Sequence, residues 1–313
     1  KITLVDDTGQ RRVLFAPNGA VSADVAPGRG RVIASRGFEY TIAEEGEVDV
    51  EEGASVGLVL HIERVVETGG YVAADFHLHA KASTDSRLSN EDRILSLVAE
   101  GVEYAVSTDH DFLTDYAPII QKLGLEAYLS SSIGVETSTW LLGHFNGWPL
   151  SVDLDQRGHG APKWFGLSPA DILATMREYV GTGGVIQVNH PRMTGSYFDA
   201  IDFNPATGLA ESDPVDLGFS SGTGLLSLNF DAIEVFNGKR VDQLFGDSGD
   251  GSAGKGAIHD WFALLNLGYR FAFTGNSDSH GATAEAGYPR NYVSSVSDLP
   301  SSLDPVQLLS HNT

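Results

Sequence analysis

The chain contains no cysteine. That absence removes disulfides, zinc–thiolate sites and a cysteine nucleophile together. Any metal must be held by His, Asp and Glu. Basic residues are scarce too: 20 Lys and Arg stand against 42 Asp and Glu, for a net charge of −22. Sequence-independent binding to nucleic acid needs a basic face that displaces counterions, so nucleic acid is excluded as a bulk partner. No apolar run approaches the roughly 18 residues of a spanning helix, so no membrane segment is expected. A cysteine-free chain tolerates either redox state. The acidic balance is compatible with salty or extracytoplasmic surroundings, and the compartment stays open.

What is present is an ordinary globular composition, 42% hydrophobic and 20% charged over 313 residues. That length suits two domains, or one large α/β barrel with an addition. The opening KITLVDDTGQ reads as a strand entering a turn, without an initiator Met or signal peptide, so the chain reads as a mature or trimmed piece. Residues 1–68 read as a small all-β sandwich. Short runs such as ITLV, RRVLFA, RVIAS, FEYTIA and GLVLHIERVV are separated by DDTG, PNG, PGRG and EEGE, which supply turn residues.

Over residues 69–313 the rhythm changes to strands alternating with helices. SNEDRILSLVAEG has Ser89 as a cap, Asp92 three positions on, and Gly101 as a stop. SPADILATMREYVG has Ser168 as a cap, Pro169 at the first helical position and Gly181 at the end. EYAVSTDH, GVIQVNHP, DAIEVFNG and RFAFTGNSDSH read as strands, and AIHDWFALLNLG as a helix. This pattern predicts a parallel barrel or doubly wound sheet, with its site at the carboxyl ends of the strands. Residues 193–230 and 238–256 break it as long, glycine-containing excursions. The closing DPVQLLSHNT reads as a helix just starting.

Six of the ten histidines fall at expected strand ends: His77 and His79 in ADFHLHA, His110 in AVSTDHD, His144 in GHFN, His190 in VIQVNHP and His280 in TGNSDSH. Asp85, Glu136 and Asp278 accompany them. Residues two apart on a strand share a face, so His77 with His79, and Asp278 with His280, have chelating spacing. One such pair is ordinary on a half-buried strand. Two pairs with three further histidines at strand ends are not, because a core histidine is costly unless partnered. His61, His159 and His259 lie outside these motifs and receive no role.

The order HxH, Asp six residues on, DH, Glu, His, His and DxH resembles the PHP (polymerase and histidinol phosphatase) superfamily. The spelling GVETSTWLLGHFN, with NHPR and GNSDSH, is similar to the CehA/McbA branch, which includes carbaryl hydrolase. The resemblance covers about residues 69–300. The β region before it resembles the transthyretin-like or carboxypeptidase-regulatory-like domain, through its turn spacing and SRGFEY. The implied fold is α/β, a distorted (β/α)7 PHP-type barrel preceded by a small all-β sandwich domain. The resemblance assigns His77, His79, Glu136 and Asp278 to a first metal. Glu136, bridging, joins His144 and His190 on a second, and Asp85, His110 and His280 hold a third. His appears at the position of Asp85 in some members.

The resemblance thus implies two to three divalent ions, and nitrogen and oxygen ligands suit Zn, Mn or Fe. Such ions carry more charge than three carboxylates offset, so the site is positive inside an acidic chain. A water shared between two metals ionises near neutral pH, its pKa lowered to about 7. The expected function is a metal-dependent phosphoesterase acting on a small-molecule mono-, di- or triester, tolerant of ester class, with a metal-bridged hydroxide as nucleophile. An aryl carbamate or carboxylic ester hydrolase is the alternative that the carbaryl-hydrolase likeness implies. A non-catalytic, metal-stabilised binding protein is the rival from another class.

Lys81 and Arg192, each two residues past a ligand histidine, are candidate oxyanion stabilisers. Asp75, Asp109 and Asp111 flank ligand histidines and are candidates to orient imidazoles. Glu234 and Asn237 end a strand and are candidate pocket residues. Tyr197, Phe198 and Phe203 serve either as an apolar lid or as loop packing. GDGSAGKG at 249–256 mimics a phosphate-binding loop, but Gly256 stands where Ser or Thr belongs and no buried strand precedes it. No G-x-S-x-G elbow supports a serine nucleophile. Oligomeric state is not legible.

Overall fold

The computed structural model describes residues 1–246, 256–296 and 299–300. All but Gly256 of the phosphate-loop mimic, and the expected start of a helix in DPVQLLSHNT, lie outside the described residues.

Strands β1 (Ile2–Asp6), β2 (Arg11–Leu14), β3 (Gly28–Ala34) and β4 (Ala43–Val50) form one antiparallel sheet in the order β2-β1-β3-β4. The DDTG turn closes as its chemistry dictates: Asp6 Oδ1 accepts from the amides of Thr8 and Gln10 at 3.0 and 2.8 Å. Among the described residues the expected sandwich is a single sheet. In β4, AEEGEVDV, most residues are exposed and only Val48 and Val50 give one face an apolar pair, too little to seat a second layer. The sheet is fastened to the rest of the molecule by Lys1, whose Nζ lies 2.6 Å from Glu100 and 3.0 Å from Glu285.

The α/β region continues with β5 (Tyr71–Asp75), α1 (Asn90–Ala99), β6 (Tyr104–Ser107), α2 (Ala117–Leu123), β7 (Ser130–Ile133), β8 (Val135–Ser138) and β9 (His144–Trp148). There follow α3 (Pro169–Val180), β10 (Val185–Val188), α4 (Tyr197–Ala200), β11 (Phe203–Asn204), β12 (Leu209–Ala210) and β13 (Ala232–Asn237). Last come α5 (Val241–Phe245), α6 (Ala257–Asn266), β14 (Ala272–Asn276) and β15 (Asn291–Ser294). The caps work as read. Ser89 Oγ accepts from Asp92 N at 3.0 Å, and Ser168 Oγ from Asp171 N at 3.3 Å. Helix α1 buries Ile94, Leu97 and Val98 with Leu78, Val102 and Ala105. Helix α3 buries Ile172, Leu173 and Met176 with Phe145 and Val188. Each such side chain contributes about 1.5–3 kcal/mol.

Two open sheets result, β15-β5-β6-β7 and β14-β13-β10-β9-β8. Among the described residues the ladders do not close a barrel. Single bridges join the sheets: Leu78 to Ser279, beyond the ends of β5 and β14, and His110, just past β6, to Glu136 in β8. A cleft of about 280 Å³ lined by Phe76, Phe236, Phe273 and Tyr292 lies where β14 and β15 part. The parallel alternation is also broken. Strand β9 runs antiparallel to both β8 and β10, so its first residue, His144, lies at the same end as the last residues of its neighbours.

Candidate metal centre

All nine expected ligands converge at that end. His77 and His79 follow β5, His110 follows β6, Glu136 lies in β8, His144 opens β9, His190 follows β10, and Asp278 and His280 follow β14. Four overlapping groups have ligand atoms within 4.8 Å of one another: His79, Asp85, His110 and His280; His77, His79 and Glu136; His77, His190 and Asp278; His110, Glu136 and His144. Glu136 is the hub. Its carboxylate lies 3.1 Å from His77 Nε2, 3.5 Å from His79 Nε2, 2.8 Å from His110 Nδ1, 3.1 Å from His144 Nδ1 and 3.5 Å from His190 Nε2. Asp278 Oδ1 is 3.3 and 3.1 Å from the Nε2 atoms of His77 and His79. Asp85 joins His110 and His280 at 3.2 and 3.1 Å, and at 51% side-chain exposure it marks the open side.

The imidazoles are aimed by partners on their far nitrogens. His77 Nδ1 meets Glu234 at 2.9 Å, His79 Nδ1 meets Ser83 Oγ at 2.9 Å, and His190 Nδ1 meets Ser196 Oγ at 3.0 Å. His280 Nδ1 donates to the Asp278 carbonyl at 2.8 Å. His110 differs: its Nδ1, the nitrogen that faces Glu136, is also the one 2.6 Å from Ser138 Oγ. Beneath the cluster, Asn189 Nδ2 donates to Glu136 Oε1 and to Asn146 Oδ1, both at 2.8 Å. Gln187 donates to Asn189, and its carbonyl accepts from Thr274 and Asn276. Asn276 then reaches Glu234 at 2.9 Å. A buried amide network therefore ties together the two carboxylates that flank His77. Asp111, His190 and Asp278 hold positive φ (49°, 27° and 48°), a strain that surrounding contacts must sustain.

The cluster is tuned by opposing forces. Burial pushes His77 down, but the charges of Asp278, Glu234 and Glu136 outweigh it and hold the ring well above its usual range. Its neighbour His79, also buried, falls to about 4, with the charge of His77 adding to the desolvation. Burial likewise opposes His110, yet the negative charge of Glu136, 2.8 Å from its Nδ1, with that of Asp85, raises it to about 9. Burial would raise Glu136 and Asp278; His77 and the surrounding imidazoles win, and both stay ionised.

Those atoms do not satisfy one another. His77 Nε2, His79 Nε2, Glu136 Oε2 and His280 Nε2 are buried and have no hydrogen-bond partner of acceptable geometry. Buried polar atoms are normally paired. Four orphaned nitrogen and oxygen atoms facing a shared space, with no sulfur, fit hard or borderline divalent cations.

The other expectations divide. Glu234 and Asn237 are in the site: Asn237 Nδ2 donates to Glu234 at 3.0 Å and to Asp278 at 3.1 Å. Asp75, Asp109 and Asp111 have no hydrogen bond to an imidazole. Asp75 accepts from Ser277 and from the amides of His77 and Gly287, fixing two ligand segments. Asp109 accepts from Ala80 N, Ser83 Oγ and Thr114 Oγ1, and so acts on His79 through Ser83. Lys81 is exposed. Arg192 has four of its five donors engaged elsewhere: Asp260 takes Nε and Nη2 at 2.6 Å each, and the carbonyls of Phe198 and Phe203 take one N–H each of Nη1 and Nη2. Its oxyanion role is left without support. Tyr197, Phe198 and Phe203 are fully buried in the core, which makes them loop packing rather than a lid.

Sequence reasoning missed Ser83, Ser138, Ser196, Asn189 and Arg93. Arg93 is fully buried and donates to the carbonyls of His79 and Ser279, joining the first and last ligand segments. Its only sequence signal is an arginine on the apolar face of an amphipathic helix.

No protein-family model matches the chain, and no curated protein matches it significantly. Solved structures do. One is a two-domain protein from Bacteroides vulgatus ATCC 8482 said to contain a predicted PHP-like metal-dependent phosphoesterase, with TM-score 0.46 and 18% identity over 78% of this chain. The chain spans 66% of that protein's length. Another, from Bifidobacterium adolescentis ATCC 15703, is assigned by inference as a metal-dependent phosphoesterase, with TM-score 0.38 and 14% identity over 69% of this chain and 90% of that one.

Proposed function

We propose that the chain is a metal-dependent hydrolase of small-molecule esters, with phosphoesters as its favoured class. The observation that carries this reading is Glu136, which is buried, ionised and within 3.5 Å of five imidazoles while one of its oxygens lacks any hydrogen bond. His77, His79, Asp278, His144, His190, Asp85, His110 and His280 would hold two to three divalent ions with it. When bound, such ions supply Lewis acidity and a water acidic enough to ionise near neutral pH, which is the expected nucleophile.

The chain's own residues prepare the site. Ser83, Ser196, Glu234 and the Asp278 carbonyl fix four ring orientations, so little reorganisation remains when an ester binds. The substrate enters beside Asp85, the exposed member. Three dications exceed the charge of Asp85, Glu136, Glu234 and Asp278, and a net positive pocket favours an anionic phosphoryl group over a neutral carbamate.

The test is a metal count by mass spectrometry, with turnover on p-nitrophenyl phosphate mono-, di- and triesters beside 1-naphthyl N-methylcarbamate. Two or more ions per chain with phosphoester turnover is the expected result. Carbamate turnover alone would transfer the reading to carbonyl esters, and fewer than two ions or no turnover would refute it.

A further inference from the structure

Outside the metal cluster, three aromatic side chains meet at the surface. Trp140, in the turn between β8 and β9, is 78% exposed, and Phe165, between β9 and α3, is 75% exposed. Their rings lie 5.5 Å apart, and Trp164 completes the group at 5.6 Å from Trp140 and 6.1 Å from Phe165. Large aromatic side chains rarely face water to this extent, and a contiguous exposed apolar patch marks a binding surface.

The group is anchored to the site. Trp164 Nε1 donates to Asp111 Oδ1 at 2.9 Å. That same oxygen accepts the amide of Ser138 at 3.2 Å, and Ser138 Oγ lies 2.6 Å from His110 Nδ1. Trp140 stands two residues beyond Ser138. The inner tryptophan is thus held by a hydrogen bond and linked through Asp111 and Ser138 to His110, while the two outer side chains are exposed.

We propose that Trp140, Trp164 and Phe165 form a platform for a flat ring carried by the substrate, so that the preferred esters have an aromatic leaving group or side arm. This rests on the reading of the cluster as an ester hydrolase. Edge-to-face aromatic groups accept a further ring by stacking, whereas a saturated ring of the same size gains only area.

The test uses p-cresol and 4-methylcyclohexanol, a matched flat and puckered pair, with dissociation constants from ligand-observed NMR. The wild type is expected to prefer p-cresol by about five- to ten-fold, with or without metal, and Trp140→Ala and Phe165→Ala to lose that preference. Equal binding of the two ligands, or a preference that survives both substitutions, overturns the platform. So does a concentration-dependent dimer that Trp140→Ala abolishes, because a second copy of the chain would then cover the patch. Methylphosphonate is titrated separately into metal-loaded and metal-free protein. If it binds neither while the p-cresol preference holds, the phosphoester reading fails and the platform stands.

Discussion

Asn189 Nδ2 donates to Glu136 Oε1 at 2.8 Å, and the other oxygen of that carboxylate receives no hydrogen bond. The amide thus fixes one edge of the central carboxylate and leaves the other for the cluster. Asn189 is itself held by Asn146 and Gln187, so this anchor of Glu136 does not titrate, unlike His144, whose Nδ1 meets the same oxygen at 3.1 Å.

Replacing this anchor weakens metal binding without removing a ligand. Asn189→Leu is expected to lower divalent-metal affinity about 10- to 100-fold, the range for partners that orient ligands. Competition with a fluorescent chelator measures it, and unchanged affinity would show that Glu136 orients itself.

Loss of the hub charge is harsher. Glu136→Gln keeps the shape but removes the anion among five imidazoles. The metal count should fall by at least one ion per chain, and turnover by more than the roughly 100-fold upper range for an outer partner. Near-wild-type activity would refute the bridging assignment.

Metal-free protein should lose stability in alkali. His110 binds its proton more tightly when folded, at about 9 against the ordinary 6.5. Its contribution is therefore complete below about pH 6.5 and is lost as pH rises through about 9. Thermal unfolding of chelated protein at pH 6.5 and 9.5 tests this. A melting temperature that rises across that interval would contradict the sign.

Arg192 has a structural prediction. Its side chain is 4% exposed and doubly bonded to a fully buried Asp260. Arg192→Met takes both guanidinium hydrogen bonds from that buried carboxylate and should cost about 3–5 kcal/mol of folding stability. Urea unfolding measures it, and a cost below 1 kcal/mol would mean that Asp260 finds other partners.

The ligands were readable because metal chemistry selects rare residue types and places them at strand ends. HxH, DxH and the lone histidines stand out in a chain with ten histidines. Their supports did not stand out. Ser83 and Ser196 follow their ligands by four and six residues, Ser138 lies 28 residues past His110, and serine is common in any loop. Arg192 looked catalytic because it follows a ligand, yet its direction is set by Asp260, 68 residues away. Helices α1 and α3 were legible from caps and period. Sheet closure was not, because an apolar run does not say which neighbour it pairs with, and the antiparallel course of β9 left no mark in its alternation.

The two single bridges between the sheets acquire a further meaning from the cluster's position. Leu78 to Ser279 lies between His77 and His79 on one side and Asp278 and His280 on the other, and the second bridge pairs His110 with Glu136 directly. Candidate ligands thus straddle both seams. An ion held across a seam would act as a clasp, joining edges that the backbone joins with one bridge each. Unfastening would begin at the mouth of the molecule, and amide hydrogen exchange after chelation should quicken first at Leu78, Ser279 and His110, ahead of the helices α1 and α3 that cover the core.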